Sequence, residues 1–117
     1  MLTGPDMLPV IDSALWAELE MVGGIELPPR LVTMFLDDVY GLITQINTAV
    51  EGGDASTVAK SAHRIKGGAA AVGARRVATV AKAVESAGRE SQLAGMPDMI
   101  RTLETEIELL KQTALST

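Results

Sequence analysis

The sequence predicts an all-α fold, an antiparallel up-down four-helix bundle with a short additional helix at the N-terminal side. Three observations predict it. Apolar residues recur at intervals of three and four along most of the 117 residues, the period of a helix face. Sixteen alanines and few β-branched stretches favour helix over sheet. The only aromatic residues are Trp16, Phe35 and Tyr40, so the core must be aliphatic. The length suits one domain with a modest core.

Residues 1–10 contain Pro5 and Pro9 and show no periodicity. They are expected to form a flexible tail, with residues 11–117 as the helical domain. Asp12 stands where a helix cap is needed, ahead of Leu15, Trp16 and Leu19, and Gly23-Gly24 closes this short helix. It is expected to cover one end of the bundle. Pro28-Pro29 can open the second helix, whose apolar residues are Leu31, Met34, Phe35, Val39, Leu42, Ile43, Ile46 and Val50; Gly52-Gly53 ends it. Asp54 caps a third, with Val58, Ala62, Ile65, Ala69 and Val72 on one stripe and a stop at Gly73. The fourth carries Val77, Val80, Ala81 and Val84 and fades at Gly88. A polar loop over roughly 89–96 precedes Pro97-Asp98 and a last helix with Met99, Ile100, Leu103, Ile107, Leu110 and Ala114. Short connections make sequence neighbours antiparallel.

Composition excludes much chemistry. Without cysteine there is no disulfide framework, thiol nucleophile or cysteine-ligated metal. One histidine excludes a multi-histidine metal centre. The glycines of GGAAAVG lack the Lys-Ser/Thr of a phosphate loop, no strand precedes them as a dinucleotide fingerprint needs, and no GxSxG occurs. A Ser-His-Asp set would have to use His63, and helical bundles rarely host one. Asp37-Asp38 and Glu104/Glu108 lack the Glu-x-x-His partners of a di-iron bundle and read as solvated faces. No apolar run approaches membrane-spanning length. The opening MLTGPDMLPV has neither a basic region nor a long apolar stretch, so no signal peptide is expected and a cytoplasmic location is. The formal net charge of −5 argues against nucleic-acid binding.

The charge is unevenly spread. Residues 60–89 hold seven of the ten basic residues and one acidic residue, Glu85, for a balance of +6. The rest of the chain is at −11. Such a segment is either a solvated basic face or a docking surface for an acidic or phosphorylated partner. His63 lies inside it, in the run AKSAHRIKGGAAAVG. On a helical wheel it falls roughly 130° from the centre of the apolar stripe, which places it at the surface or at the border with a neighbouring helix. Ala59, Gly67 and Ala70 are its wheel neighbours, with Lys60 and Lys66 flanking the strip. Gly67 lies one turn beyond His63 and leaves the imidazole uncovered. Each of Gly67 and Gly68 costs about 1 kcal/mol relative to alanine in a helix interior, so a packing or functional reason is expected. Lys66, at i+3, reaches towards whatever the ring carries. An exposed imidazole, a bare backbone and a nearby ammonium make a phosphoryl-acceptor site. The competing reading is an ordinary surface histidine beside glycines that serve helix packing.

AHRIKGGAAAVGA resembles the signature of the histidine-phosphotransfer (HPt) domain family, A-H-x-L-K-G followed by small residues and G-A. The upstream FLDDVYGLITQINTAVEGGDASTVAKSAH and the downstream ARRVATVAKAVESAGRE are similar to that family's helix, Gly-Asp turn and L-x-x-hydrophobic-E-x-x-x-R pattern. The resemblance covers about residues 10–115. Ile65 and Val77 replace the usual leucines, and Gly68 stands where serine is frequent. It implies a four-helix bundle in a two-component phosphorelay. His63 would take a phosphoryl group through Nε2 from a receiver-domain aspartate or a sensor kinase and pass it to another receiver. Lys66 would neutralise phosphate charge, and Gly67 would give access. The chain would need no cofactor of its own, the Mg²⁺ belonging to the receiver. A neutral imidazole is available as a nucleophile near pH 7, and phosphoryl transfer needs mainly alignment and charge neutralisation.

Glu85 has two readings. If the turn between the third and fourth helices centres near residue 74, positions 63 and 85 lie at similar heights on antiparallel helices. Glu85 then accepts a hydrogen bond from the His63 Nδ1–H and leaves Nε2 free. Alternatively it is a surface glutamate bridging to Lys82 or Arg89. Ala59, Lys60, Arg64 and Ala70 are the expected docking residues. The partners implied are receiver domains of response regulators and a hybrid sensor histidine kinase, with no nucleic acid or membrane, and the chain is expected to be a monomer. Two alternatives stay open: a bundle that docks a receiver without exchanging phosphate, and a fragment of a sensor-kinase dimerisation domain. In the latter the residue after the histidine is typically acidic, whereas here it is Arg64.

Overall fold

A computed structural model describes residues 8–115 of the chain. They form five helices: α1 (Ser13–Gly23), α2 (Leu27–Glu51), α3 (Ala55–Ala71), α4 (Arg75–Arg89) and α5 (Met96–Leu115), with no strand among the described residues. Residues 1–7 of the expected tail lie outside the described residues, while Val10 and Ile11 pack against the core.

The ends of the helices follow from local chemistry. Asp12 Oδ1 accepts from the backbone N–H groups of Ala14 and Leu15 at 3.1 and 3.2 Å, satisfying donors that the first turn of α1 leaves unpaired. Asp54 does the same for α3, taking the Thr57 N–H at 3.1 Å and the Thr57 hydroxyl at 2.6 Å. The two prolines of α2 sit in its first turn, where a missing N–H costs nothing. Gly73, at φ +75°, turns the chain from α3 into α4. A Cβ there would come within 3.3 Å of Asp12, Leu15 and Trp16, so α1 is seated directly on that turn. Asp12 N–H donates to Gly73 O, and the Trp16 indole N–H donates to Val72 O, both at 2.8 Å.

Helix α2 packs on α3, α3 on α4, α4 on α5, and α5 back on α2, while α1 rests on α2. Ser61 hydroxyl against Gln45 Oε1 and Gly68 against Phe35 show that α2 and α3 run antiparallel. The enclosed core is aliphatic apart from Phe35: Val32, Val39, Ile46, Val58, Ile65, Val77, Val84, Met96, Leu103, Ile107 and Leu110 are essentially inaccessible. Each such side chain contributes about 1.5–3 kcal/mol by leaving water. All five stripe residues of α3 are buried.

Three features change or extend what the sequence suggests. Met34 is 60% exposed, because Val32, Phe35, Leu36 and Val39 already fill the inward side of α2. Helix α4 ends within a residue of Gly88, as expected, but that glycine is also buried and lies against the backbone of α3. Glu106 of α5 is buried and paired with Arg76 of α4. No helix among the described residues is long and apolar enough to cross a membrane.

Candidate functional site

The middle of α3 and the end of α4 meet at the surface around His63. Its side chain is 61% exposed, and its Nδ1 lies 2.8 Å from Glu85 Oε2. Glu85 is on the buried side of the seam, with a side chain 3% exposed. It is placed there because α4 presents Val77, Val80, Ala81 and Val84 to the core and position 85 borders that stripe. Lys66, one turn along α3 from His63, donates to Glu85 Oε1 at 2.7 Å. Arg89, one turn along α4 from Glu85, donates through Nη2 to Glu85 Oε2 at 2.7 Å. Glu85 is thus no surface glutamate: from its buried position it takes the imidazole and Arg89 together, and Lys66 besides. Lys82 is not among its partners.

These contacts set the charge of the site. The Lys66 hydrogen bond holds the Glu85 carboxyl below the usual glutamate range against the opposing effect of burial, helped by the His63 contact and the Arg89 charge. An ionised carboxylate only accepts hydrogen bonds. The short contact to Nδ1 thus requires the hydrogen on Nδ1, and in a neutral ring that leaves Nε2 with its lone pair free.

The two adjacent glycines of α3 have different surroundings. A Cβ on Gly67 would meet nothing within 4 Å, so the surface next to the imidazole is open. A Cβ on Gly68 would lie 2.9 Å from Phe35 Cδ1, so that glycine allows α2 to approach. On the other side of His63 a shallow depression of about 340 Å³ is lined by Ala59, Lys60, His63, Arg64, Glu85 and Arg89. Lys60 and Ala70 are exposed and Ala59 is half-buried. Arg64 stands 3.7 Å from Asp38 of α2, both well exposed, a pair worth at most about 1 kcal/mol. The structure thus gathers His63, Lys66, Glu85, Lys60, Arg64 and Ala59 at one place, with Gly67 and Ala70 further along the outer face of α3. Arg89, which entered as a rival partner for Glu85 and as the arginine of the E-x-x-x-R pattern, belongs to the same cluster. Its signal was the i, i+4 spacing from Glu85. Among the described residues no group of three or more His, Cys, Asp or Glu side chains could hold a metal ion.

Residues 30–113 match the family model described as the Hpt domain. The crystal structure of histidine-containing phosphotransfer protein B from Pseudomonas aeruginosa PAO1 is similar to this chain, with a TM-score of 0.81 and 29% sequence identity. The match covers 93% of this chain and 97% of that one. No curated protein matches the chain.

Proposed function

The chain belongs to the Hpt domain family, whose work is histidine phosphotransfer in two-component signalling, and from that premise we propose that His63 is the residue that carries the phosphoryl group. The observation that supports this most is the bond between Nδ1 of the exposed, sole histidine and a buried, ionised glutamate. It aims the free lone pair of Nε2 at solvent.

In the forward step Nε2 attacks the phosphorus of a receiver's aspartyl phosphate. The N–P bond forms, the P–O bond to aspartate breaks, and the electron pair leaves with the aspartate carboxylate. Passing the group to a second receiver is the same exchange in reverse, and a sensor kinase is an alternative donor. Glu85 keeps the Nδ1 hydrogen in place and balances positive charge on the phosphorylated ring. Lys66 rests on Glu85 Oε1, and its side chain is one-third exposed. Its flexible stem lets it turn to a phosphoryl oxygen while Arg89 stays with the carboxylate. Gly67 leaves room for the partner's active-site rim, and Lys60, Arg64, Ala59 and Ala70 are its docking neighbours. The receiver's Mg²⁺ would neutralise charge on the phosphoryl group, and this chain needs no cofactor of its own. We read the ring of helices α2 to α5 as an antiparallel up-down four-helix bundle with α1 as the added short helix. One copy holds the whole cluster, so the working form we propose is a monomer, and the location we propose for it is the cytoplasm.

The test is incubation with a radiolabelled phosphorylated receiver domain. The wild-type protein should acquire an acid-labile, base-stable label, and His63→Gln should acquire none while its helical circular-dichroism signal is unchanged. Label on the mutant would refute the assignment. Binding of the receiver without any label would instead make the chain a docking module.

A further inference from the structure

Gly88 is the penultimate residue of α4, where no unusual backbone conformation calls for a glycine. Its φ is not in the left-handed region, and glycine is the poorest helix former after proline. Its surroundings supply a reason. A Cβ at this position would stand 2.8 Å from Ala59 N and 3.1 Å from both Ala55 O and Ala59 Cα. These are backbone atoms of α3, which cannot swing aside as a side chain can. Gly68, by contrast, faces the ring edge of Phe35, and Gly67 faces nothing. At Gly88, therefore, α4 lies directly on the α3 backbone.

The crossing is one turn from the reacting histidine. Glu85 precedes Gly88 by three residues, and His63 follows Ala59 by four, so on antiparallel helices the two side chains meet next to the Gly88–Ala59 contact. They meet at 2.8 Å, near the short end of the hydrogen-bond range. We propose that Gly88 is a positioning residue for phosphoryl transfer: by letting α4 lie on the Ala55–Ala59 backbone, it sets the separation at which Glu85 holds the His63 Nδ1–H. This rests on His63 being the phosphoryl carrier. A methyl group at position 88 forces α4 outward by several tenths of an ångström or more, and the contact stretches towards the limit of a useful hydrogen bond. An imidazole so released exchanges its hydrogen between its two nitrogens, and Nε2 is no longer held free.

The experiment uses the full chain labelled with ¹⁵N-histidine. His63 is the only histidine, so one pair of ring-nitrogen signals reports its tautomer. The wild-type protein should show hydrogen on Nδ1. Gly88→Ala should keep its helical signal, show averaged ring nitrogens, and accept phosphate from a phosphorylated receiver roughly tenfold to a hundredfold more slowly. Gly68→Ala, a glycine pressed against a neighbour on the opposite side of α3, should retain the wild-type tautomer and rate. Glu85→Gln supplies the signals of a ring without its carboxylate, which Gly88→Ala should approach. A folded Gly88→Ala with the wild-type tautomer overturns the proposal. So does a Gly88→Ala chain that fails to fold, which would give the glycine a folding role only. The ring signals are read on unphosphorylated protein, so they test the spacing even if His63→Gln shows that phosphate goes elsewhere.

Discussion

Glu106 presents both carboxylate oxygens to one guanidinium, Arg76 Nε and Nη2 lying 2.5 and 2.9 Å away. Glu85 is as deeply buried, but divides its two oxygens among His63, Lys66 and Arg89. At the α4–α5 seam donor and acceptor are both largely covered, with side chains 17% and 7% exposed. At the α3–α4 seam the carboxylate is covered and its donors are one-third to two-thirds exposed. The first arrangement gives both oxygens of one anion to a single guanidinium and is covered from water. The second gathers two permanent cations and an imidazole on one negative charge, and leaves them facing water. A buried carboxylate is thus no sign of function by itself. An excess of exposed donors on one is what leaves capacity for an incoming anion.

The sharpest way to break the comparison is to remove each carboxylate. Glu106→Ala removes two charge-assisted hydrogen bonds from a largely covered guanidinium, and should cost about 2–3 kcal/mol of stability in urea unfolding, with phosphoryl acceptance unchanged at low denaturant. Glu85→Gln should do the reverse. Its former partners Lys66 and Arg89 can rehydrate, so the stability loss should stay near 1 kcal/mol, whereas acceptance should slow by about tenfold or more. Equal stability losses, with transfer spared in both, would erase the distinction.

Acid sharpens it further. The folded Glu85 carboxyl titrates below its unfolded value of about 4.3, so its stabilising contribution is fully present above that pH and is lost as the pH falls through the folded value. The gap in melting temperature between wild type and Glu85→Gln should therefore narrow below about pH 4.3. A gap that widens in acid would contradict the assigned charge state. The smallest effect is expected at Ser91, the only non-glycine residue with positive φ among the described ones, at +56° just past α4. Ser91→Gly should raise stability by up to about 1 kcal/mol in thermal unfolding and leave transfer untouched, because it relieves the backbone without altering either carboxylate.

The caps at Asp12 and Asp54 and the stripe from Val58 to Val72 were legible in the sequence because they depend on neighbours within one or two turns. His63 was legible as an outward residue for the same reason. The Arg76–Glu106 pair was not, since thirty residues separate its members and no local period sets the register of α4 on α5. Gly88 was legible as the end of α4 but not as a contact with α3, because a glycine near a helix end has the same local appearance whether or not it also admits another backbone. Only the position of α3 separates those cases. The meeting of His63 and Glu85 could be anticipated as one of two options, because the turn at Gly73 fixes the register of α3 and α4. The sharing of that carboxylate with Lys66 and Arg89 together could not, because each spacing constrains only its own helix.

Trp16 is the only tryptophan of the chain, and its indole is tied to Val72 O where α1 sits on the turn between α3 and α4. Its fluorescence therefore reports a single seam. That seam is nine residues from His63, roughly 13 Å along the axis of α3. Helix α1 contributes no buried residue, so it should detach in denaturant before the other helices melt, and the emission should shift to the red while most of the circular-dichroism signal persists. The molecule thus carries an optical probe at the opposite end of α3 from its Asp54 cap. A receiver confined to the surroundings of His63 would leave that emission unchanged, and one whose footprint extends to α1 would alter it.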